Sequence, residues 1–521
     1  MPRIADDVTL RALLERRTAA DPDGCYLVYA GEHMSFAALD AGVNRLANAL
    51  AARGIGAGER VAVMMDNHPD HVRAFFALAK LGAVQIPVNT QLRHAPLAYV
   101  LTRGEPALVI ADAAYAQVLG EVFGSGAQHR PSFVWRGACD APGECIDGLM
   151  AAALAGPPPG APAAHDVLTV LFTSGTTGPP KGVLVTDKMH RAAALASTLA
   201  AGVCDGDVMY LWEPLYHIGG TEVLVLALEH RVTLAMTTRF SVSRFWEECR
   251  EAGATQFHFL GGILQMLLSR APDRRDRDHP VRIAWGGGAP PGAWRAFEER
   301  FGVEVRENYG MTEASSLTSI NDDARFATVG RPAPWFDVRI AADDGATLGA
   351  GERGEILVRE REPGLITPGY FRNPEATARA IRDGWLHSGD LGLLDRDGFL
   401  VFLGRLKDCI RRRGENISAW EIEHVVNAMP QVEESAAIGV PSALGDEEIK
   451  LFVKPADGAR LDPASVFGWC AQRLAPFQVP LYLSVVENFE KTGTQRIRKE
   501  TLSRTIHDCT VREQSGSGLS R

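Results

Sequence analysis

Little in this 521-residue sequence points to a secreted, membrane-spanning or nucleic-acid-binding protein. The eight cysteines are scattered, and none form a Cys-x-x-Cys or other metal-ligand spacing, which argues against a disulfide framework and a zinc site. No apolar run reaches the roughly 18 residues of a membrane span, and the N-terminus lacks the apolar stretch of a signal peptide. The 54 basic residues are outnumbered by 64 acidic ones, a poor basis for binding nucleic acid. We therefore expect a soluble, cytoplasmic protein that binds neither nucleic acid nor membranes.

The composition is that of an ordinary globular protein, with 46% hydrophobic and 23% charged residues. At about 100–200 residues per domain, the length predicts two to four domains. Residues 40–67 combine a helical pattern, a glycine-punctuated turn and a buried strand, and residues 71–89 repeat that order. Repetition of this kind predicts layers of parallel α/β structure.

The character of the sequence changes after about residue 335, where short strands separated by turn residues predict a β-rich subdomain. Beyond a charged stretch that begins near Lys407, the pattern becomes helix, strand, strand, helix. These four segments are predicted at 419–429, 434–440, 448–454 and 463–474.

We therefore predict two domains and a tail. The first, residues 1–406, is a large multi-layer α/β domain with a β-subdomain. The second, residues 407–508, is a small, mobile α+β domain. The polar residues 509–521 are predicted to be a disordered tail.

A dense run of small hydroxyl residues and glycines, Thr-Ser-Gly-Thr-Thr-Gly-Pro-Pro-Lys-Gly, directly follows the apolar strand predicted at Val167–Phe172. In such a loop successive backbone N–H groups can turn toward one anion, and a lysine adds a point charge. It is not the GxxxxGK[ST] loop, because no Ser or Thr follows the lysine. The alternative is a flexible surface loop. We predict phosphate contacts from Thr173, Ser174, Gly175, Thr176, Thr177, Gly178 and Lys181.

With this loop, motifs spread over residues 8–505 resemble those of the adenylate-forming superfamily, which includes acyl-CoA synthetases, luciferases and nonribosomal peptide adenylation domains. Within it, the chain looks most like the crotonobetaine/carnitine-CoA ligase branch. The resemblance implies a carboxylic acid that is activated as an acyl-adenylate with ATP and Mg²⁺ and then transferred to CoA. It also implies that the C-terminal domain rotates between two catalytic poses.

The segment Glu-Asn-Tyr-Gly-Met-Thr-Glu at 307–313 offers oxygen ligands that suit a hard cation between phosphates. Alone it would be a weak motif, since Tyr-Gly is a common turn. The resemblance implies that Tyr309 stacks on adenine, that Thr312 and Glu313 serve the phosphate and Mg²⁺, and that Thr176 is a second metal ligand. The other nucleotide-binding positions implied are Gly287, Gly288, Ala289, Asn308, Gly310 and Met311.

Two further motifs complete the expected nucleotide site. In Ser388-Gly389-Asp390, a carboxylate at a glycine turn can accept two ribose hydroxyls, although Gly-Asp alone is more often just a turn. The resemblance implies that Asp390 binds ribose and that Arg405 contacts ribose and phosphate. It also makes Lys407 the hinge of the C-terminal domain.

The acyl side is expected near Tyr216-His217-Ile218-Gly219-Gly220. Here His217 is a candidate gate or positioning group for thioester formation, the alternative being an ordinary packed histidine. The glycine run at 286–288 resembles the loop between adenine and acyl chain, and its open wall suggests a bulky hydrophobic acid. The acyl-pocket residues implied are His217, Gly219, Gly286 and Gly310.

The CoA side is expected at Arg411-Arg412-Arg413-Gly414. The resemblance places Gly414 along the pantetheine tunnel, where only a residue without Cβ leaves room. Arg412 and Arg413 are candidates for the CoA phosphates. The alternative is a solvated charge run.

The C-terminal motif departs from the family pattern Pro-Lys-Thr-x-(Ser/Thr)-Gly-Lys. Here Glu490 replaces the proline, Gln495 the glycine and Arg496 the lysine that catalyses adenylation. That step brings two anions together, and a compact ammonium stabilises its transition state. Arginine keeps the charge but is longer, planar and differently forked, so the exchange is not conservative.

Arg496, His217, Lys407 and Gly414 are therefore the predicted catalytic residues, and we expect adenylation to be impaired. The chain would then mainly convert a supplied acyl-AMP and CoA to acyl-CoA, and a separate adenylating enzyme is the expected partner that supplies the acyl-AMP. One alternative is a complete ATP-dependent ligase in which Arg496 or Lys499 substitutes for the lysine. Others are an amide synthetase that uses acyl-AMP and a catalytically silent adenylate sensor. The acid itself is not predicted.

Overall fold

The computed structural model describes residues 4–124, 129–173, 180–412, 415–441, 447–492 and 496–512. Within these ranges, no helix combines the length and the apolar character that crossing a bilayer requires. The predicted α/β class is confirmed, because two seven-stranded, mostly parallel sheets dominate the first three hundred or so residues.

The first sheet is parallel except for its last strand, which forms a hairpin with the strand before it. The strand Leu108–Asp112 is buried along its whole length, as expected for a parallel sheet covered on both faces. In sheet order, the strands are Glu144–Cys145, Ser132–Arg136, Leu108–Asp112, Arg60–Met64, Val84–Pro87, Val167–Thr173 and Lys181–Thr186.

The second sheet is parallel except for one edge strand, which pairs with its neighbour in antiparallel fashion. Ligands of open parallel sheets bind beyond the carboxyl ends of the strands, so that edge is where a site is expected. In sheet order, the strands are Glu304–Glu307, Ile283–Gly287, Gln256–Leu260, Val208–Leu211, Thr233–Met236, Cys25–Tyr29 and Glu32–Ser35.

Two buried helices, Asp187–Ala201 and Ile218–Glu229, join the apolar faces of both large sheets into one core. The first begins where the Thr186 hydroxyl accepts the Met189 N–H and ends at Gly202, whose φ of +56° suits a residue without Cβ. The second is apolar on nearly every face and is buried accordingly. The remaining helices of this part are Leu10–Ala20, Phe36–Ala51, Pro69–Leu81, His94–Gly104, Ala116–Val122, Ile146–Ala152, Phe245–Ala252, Ile263–Leu268, Pro291–Phe301 and Pro374–Ala380.

The predicted β-rich region consists of two antiparallel sheets. The smaller one contains Tyr309–Met311, Ser316–Ile320 and Arg331–Pro332. The larger one contains Phe336–Ala341, Gly354–Glu360, Trp385–Leu394, Ile381–Arg382 and Leu400–Arg405.

The chain then passes through a short 3₁₀ turn, Leu406–Asp408, into a small α+β unit with its own core. Its helices are close to the predicted segments. The strands are Cys409–Arg412, Glu415–Ser418, Val432–Pro441, Glu447–Pro455, Tyr482–Val485 and Thr510–Val511, and the helices are Ala419–Asn427 and Pro463–Arg473.

The prediction of a disordered tail from residue 509 is wrong for its first residues. Thr510 and Val511 add an edge strand to Tyr482–Val485, and the Arg512 N–H donates to the Leu481 carbonyl. The adjacent chain is anchored by the fully buried Lys450, whose ammonium donates to two backbone carbonyls and to Asp508. Residues 513–521 lie outside the described part of the chain.

Candidate active site

Three residues of the predicted nucleotide site meet in one contact. Asp390 and Arg405 are register partners on neighbouring strands, with Arg405 Nε 2.9 Å from Asp390 Oδ1. The Tyr309 hydroxyl donates to Asp390 Oδ2 at 2.7 Å. Residues separated by as many as 96 positions in the sequence, 309 and 405, are thus assembled around one carboxylate that is 1% exposed.

The Asp390 carboxylate is already engaged by the protein. Burial raises its pKa, while Arg405 and the Tyr309 hydroxyl act in the opposite direction. The Tyr309 ring is itself stacked against Phe402, with centroids 5.7 Å apart. A ribose hydroxyl that reaches Asp390 therefore shares or replaces a contact with Tyr309 or Arg405.

The phosphate side is centred on Tyr370, which sequence reasoning missed. Its hydroxyl donates to Glu313 Oε1 at 2.9 Å, and Lys181 Nζ lies 4.9 Å from the centre of its ring. Lys181 begins the second hairpin strand, while Glu313 lies in the 3₁₀ turn Thr312–Ala314, which directly follows Met311. Tyr370 therefore joins the lysine of the predicted phosphate loop to the predicted metal ligand.

The backbone holds Tyr370 in place. The Phe371 N–H donates to the Gly182 carbonyl, and the Leu184 N–H donates to the Gly369 carbonyl. No motif marked this segment, because its role depends on pairing with a strand nearly two hundred residues earlier. Thr173 ends the first hairpin strand opposite Lys181, and the predicted phosphate contacts Ser174, Gly175, Thr176, Thr177 and Gly178 lie outside the described residues.

The predicted adenine loop is tied down by Glu307, another residue that the sequence did not single out. Its Oε1 accepts the N–H groups of Gly288 and Ala289 at 3.2 and 2.9 Å. Burial raises the pKa of Glu307 to about 7 despite these bonds. Asn308 is also used internally, since its side chain donates to the Arg306 carbonyl and accepts the Asn321 N–H.

The glycines of this region do not open a wall, as the sequence analysis suggested. A Cβ on Gly286 would lie 1.8 Å from the Phe259 carbonyl oxygen, and one on Gly288 would lie 2.9 Å from Gly261 Cα. At Gly310 the Ser316 carbonyl oxygen would be 1.7 Å away. These glycines permit close backbone approach, so they give no support for a bulky acid.

His217 stands immediately before the helix Ile218–Glu229. Its Nε2 is buried and has no hydrogen-bond partner among the described residues. Burial lowers the pKa of His217, the Glu213 carboxylate opposes that effect, and the Arg496 charge adds to it. The imidazole is therefore neutral near pH 7, and it lies within electrostatic reach of both Glu213 and Arg496.

Arg496 lies beside the nucleotide residues. Part of its surface is exposed, but the surrounding protein desolvates the guanidinium and lowers its pKa, as does the nearby Arg405 charge. In turn, Arg496 opposes the rise in the pKa of Asp390. Arg496 therefore lies within electrostatic reach of Asp390, Arg405 and His217.

The two lysines of the segment 490–499 form ion pairs with carboxylates of the C-terminal domain itself. Lys491 Nζ lies 2.6 Å from Glu434 Oε1, and Lys499 Nζ lies 2.7 Å from Glu423 Oε1. Lys499 is therefore engaged elsewhere in this conformation. Residues 493–495, including the replaced glycine position Gln495, lie outside the described part.

The hinge and CoA residues are only partly brought to the cleft. Lys407 is exposed in the turn Leu406–Asp408, and partial desolvation lowers its pKa. Arg412, predicted to bind CoA phosphate, is instead 2% exposed: it donates to the carbonyls of Phe477 and Val479 and pairs with Glu448. The Arg412 guanidinium is already bound by these groups inside the domain, so the prediction that it binds a CoA phosphate is corrected. Arg413 and Gly414 lie outside the described residues.

Comparisons with known proteins agree with this architecture. A family model described as AMP-binding enzyme matches residues 14–371, and one described as AMP-binding enzyme C-terminal domain matches residues 421–496. Crotonobetaine/carnitine–CoA ligase of Salmonella arizonae is 30% identical over 509 residues, which cover 95% of this chain and 97% of that protein. The Escherichia coli O139:H28 protein of the same name is 30% identical over 487 residues, covering 90% and 92%.

Solved structures give the same picture. MatB from Rhodopseudomonas palustris with bound ATP superposes with a TM-score of 0.84 at 28% identity, covering 95% of this chain and 98% of that one. The o-succinylbenzoate CoA synthetase MenE from Bacillus subtilis, in complex with its acyl-adenylate OSB-AMP, gives 0.82 at 25% identity, covering 96% and 99%. The anthranilate CoA ligase AuaEII with anthranoyl-AMP gives 0.87 at 21% identity, covering 95% and 96%, a similarity of fold.

Proposed function

This chain belongs to the AMP-binding enzyme family of adenylate-forming acyl-CoA ligases, and on that premise we propose that it makes an acyl-CoA thioester from an acyl-adenylate while its own adenylation step is impaired. The observation that carries the proposal is Arg496. It stands where the family pattern has the adenylating lysine, and its charge acts on Asp390 and His217 within the cleft. The preferred substrate is an acyl-AMP supplied by a separate adenylating enzyme.

Adenylation makes the greatest demand on Arg496. The acid's carboxylate attacks the α-phosphate of ATP, so two anions must approach while charge grows on the equatorial oxygens. A lysine ammonium can bridge both groups as a point charge, whereas a guanidinium presents a planar fork at a longer reach. Losing one well-aimed donor of this kind costs about 10²–10³ in rate.

The nucleotide is held by the residues already gathered at the cleft. Lys181 and Glu313 flank the phosphates, and Tyr309, Asp390 and Arg405 contact the nucleoside. One carboxylate together with substrate phosphates is a common donor set for Mg²⁺, so Glu313 fits the role predicted for it. When bound there, Mg²⁺ would neutralise phosphate charge.

Thioester formation makes no demand on Arg496. The family resemblance implies that the C-terminal domain rotates about Lys407 and that Gly414 lines the path of the pantetheine arm. The CoA thiolate then attacks the acyl carbonyl carbon, a C–S bond forms, and the bond to the phosphate breaks as AMP leaves. Neutral His217 lies near the acyl carbon and positions the reacting groups without adding charge. Each of these residues matches the family pattern, which is why this half-reaction is proposed to be intact.

A second candidate is the complete ATP-dependent carboxylate–CoA ligase. The position of Arg496 in the cleft favours it, because the cation reaches the residues on which adenylation depends. The two candidates differ only in the rate of the first half-reaction.

The test measures the two half-reactions separately. Acid-dependent ATP–pyrophosphate exchange reports adenylation, and acyl-CoA formation from chemically made acyl-AMP plus CoA reports thioester formation. The proposal expects pyrophosphate exchange to be absent, or about 10² slower than thioester formation, because a well-aimed donor has been lost. Comparable rates would establish the complete ligase, and no thioester from any acyl-AMP would refute both.

Variants then assign the difference to one residue. Arg496→Lys, alone and with Gln495→Gly, should raise exchange far more than thioester formation. Arg498→Lys is the matched control, because Arg498 belongs to the same segment but pairs with Glu500. An equal gain in both half-reactions from Arg496→Lys would contradict the assignment.

A further inference from the structure

A buried charged pair lies on the acyl side of the cleft. Glu213 follows the strand Val208–Leu211 and is only 3% exposed, and its Oε2 lies 2.5 Å from Nδ1 of His258. Burial alone would lower the pKa of His258, but the Glu213 carboxylate outweighs it, so the pKa is raised. The raised pKa favours a charged imidazolium beside the carboxylate, and taking such a pair out of water costs free energy of desolvation.

The pair stands next to the predicted acyl pocket. A Cβ on Gly219 would lie 2.6 Å from Glu213 Oε1, so the carboxylate packs directly on that glycine. Glu213 comes two residues after its strand, and His258 lies in the neighbouring strand Gln256–Leu260, at the carboxyl edge where α/β sheets bind ligands. Glu213 also raises the pKa of His217 by its charge, so it lies within electrostatic reach of that histidine.

The hydrogen-bonding capacity of this region is not used up by the described residues. Within them, Glu213 Oε1 has no hydrogen-bond partner. Glu222, on the helix that begins after His217, is 0% exposed. Burial raises the pKa of Glu222 to about 7, and the His258 charge and the Ser316 and Ser197 hydroxyls oppose that rise. Among the described residues of this cluster, the acceptor left without a donor is therefore Glu213 Oε1.

Resting on the proposed function, we propose that the acid handled by this protein carries a hydrogen-bond donor, an amino or hydroxyl group, which binds Glu213 within the cluster Glu213–His258–Glu222. The donor supplies the bond that Oε1 lacks. A wholly apolar acyl chain of the same size would leave that oxygen buried and unpaired. This reverses the expectation of a hydrophobic acid drawn from the glycine run.

The test uses pairs of acyl-adenylates that differ by one group: hexanoyl-AMP against its 6-amino and 6-hydroxy forms, and benzoyl-AMP against the aminobenzoyl and hydroxybenzoyl isomers. The kcat/KM for thioester formation with CoA is compared within each pair. A site that hydrogen-bonds a substrate OH or NH rejects the analogue that lacks it by up to about 10⁴–10⁵-fold, so we expect at least one donor-bearing form to be preferred by 10²-fold or more.

Because acyl-AMP is the starting material, failure of this inference can be distinguished from failure of the proposed function. Supplied acyl-AMP bypasses adenylation, so thioester formation from apolar acyl-AMPs at rates equal to or above those of every donor-bearing form overturns this inference and leaves the proposed function standing. No thioester from any acyl-AMP overturns both.

Variants assign the preference to the carboxylate. Glu213→Leu should abolish it and improve kcat/KM for the apolar member, while Glu213→Gln, which keeps the volume, should weaken the preference for the amino form more than for the hydroxyl form. Glu248→Gln is the control, since the described partners of Glu248 are Tyr210 and Arg244 and neither of them belongs to this cluster. If Glu213→Leu fails to fold, Glu213→Gln and the wild-type comparison still decide. An unchanged preference in both Glu213 variants overturns the assignment.

Discussion

The predicted nucleotide-binding residues Tyr309, Asp390 and Arg405, here called the nucleotide wall, and the C-terminal segment 490–499 hold their charged side chains in opposite ways. On the wall, Asp390 is fixed between the Tyr309 hydroxyl and Arg405. In the segment, Lys491 and Lys499 are bound to carboxylates of their own domain, and the guanidinium of Arg496 has no ion pair with any described residue. The wall is organised before a ligand arrives, whereas its opposite side offers one long side chain.

The difference concerns preorganisation. A catalytic charge is most effective when the protein holds it where charge develops, because no reorganisation is then needed during the reaction. The wall meets that condition for the position of its carboxylate, although a ribose hydroxyl shares or replaces one contact of Asp390. Arg496 meets it less well than a short, aimed ammonium would. Binding of nucleotide and acyl-adenylate should therefore be strong in this protein even where adenylation is slow.

The largest effect is expected from removing the Arg496 guanidinium, the cation of the segment that has no ion pair among the described residues. We expect Arg496→Ala to reduce any residual pyrophosphate exchange by about 10²–10³, because the other described cations of the segment, Lys491, Arg498 and Lys499, are paired with carboxylates. Thioester formation from acyl-AMP should change little. Both rates are measured on one preparation, and a parallel loss in the two assays would mean that Arg496 serves the whole cycle.

The wall is tested by weakening its central carboxylate. Asp390→Asn should raise the Kd for AMP by about 10–100-fold, the value of a hydrogen bond to a charged group. Isothermal titration calorimetry with AMP measures it, and Asp397→Asn is the control, since Asp397 is an exposed carboxylate in the turn between two strands of the same sheet. An unaltered Kd would show that Asp390 is structural and that the wall is not organised for ribose.

A smaller effect concerns the other carboxylate of the wall, Glu307. Its pKa is raised from 4.5 to about 7 in the folded protein, so its contribution to stability is complete below pH 4.5 and is lost as pH rises through 7. The Tm of Glu307→Gln relative to that of the wild type should therefore be higher at pH 8 than at pH 5, by on the order of 2 °C. Thermal scans at both pH values measure this, and a constant difference would place the charge outside the buried network.

The smallest expected effect sharpens the contrast within the segment. Lys499→Met should leave pyrophosphate exchange within about 5-fold of the wild type, as for loss of a partly exposed ion pair, because its ammonium is bound to Glu423. A loss matching that of Arg496→Ala would identify Lys499 as the substitute for the missing lysine.

Much of the wall was predictable because its motifs are local in sequence. Tyr309, Asp390 and Arg405 each lie in a short recognisable segment, and the fold brings the three segments together. Tyr370, Glu307 and Glu213 were missed because each acts through a partner from another segment: Glu313, the 288–289 backbone and His258. A side chain's partner across the fold leaves no mark on its own neighbours in the chain.

Errors of the opposite kind arose where a local pattern was taken at face value. Arg412 belongs to a basic run that suggested phosphate binding, but its acceptors come from Glu448 and the 477–479 backbone. Gly286 and Gly288 suggested open space, which backbone atoms of Phe259 and Gly261 fill. Neither outcome depends on sequence spacing, so neither could be read from it.

The anchoring of Lys450 limits how far the C-terminus can be shortened. Its buried ammonium relies on the carbonyls of Ser503 and Thr505 and on Asp508, all beyond the last residue matched by the C-terminal family model. A chain cut at residue 500 would keep every predicted catalytic residue yet leave a positive charge stranded in the interior, at a cost of several kcal/mol. Affinity tags and fused partners should therefore follow Arg512. Truncation at the end of the family match would remove the residues that bind the Lys450 ammonium.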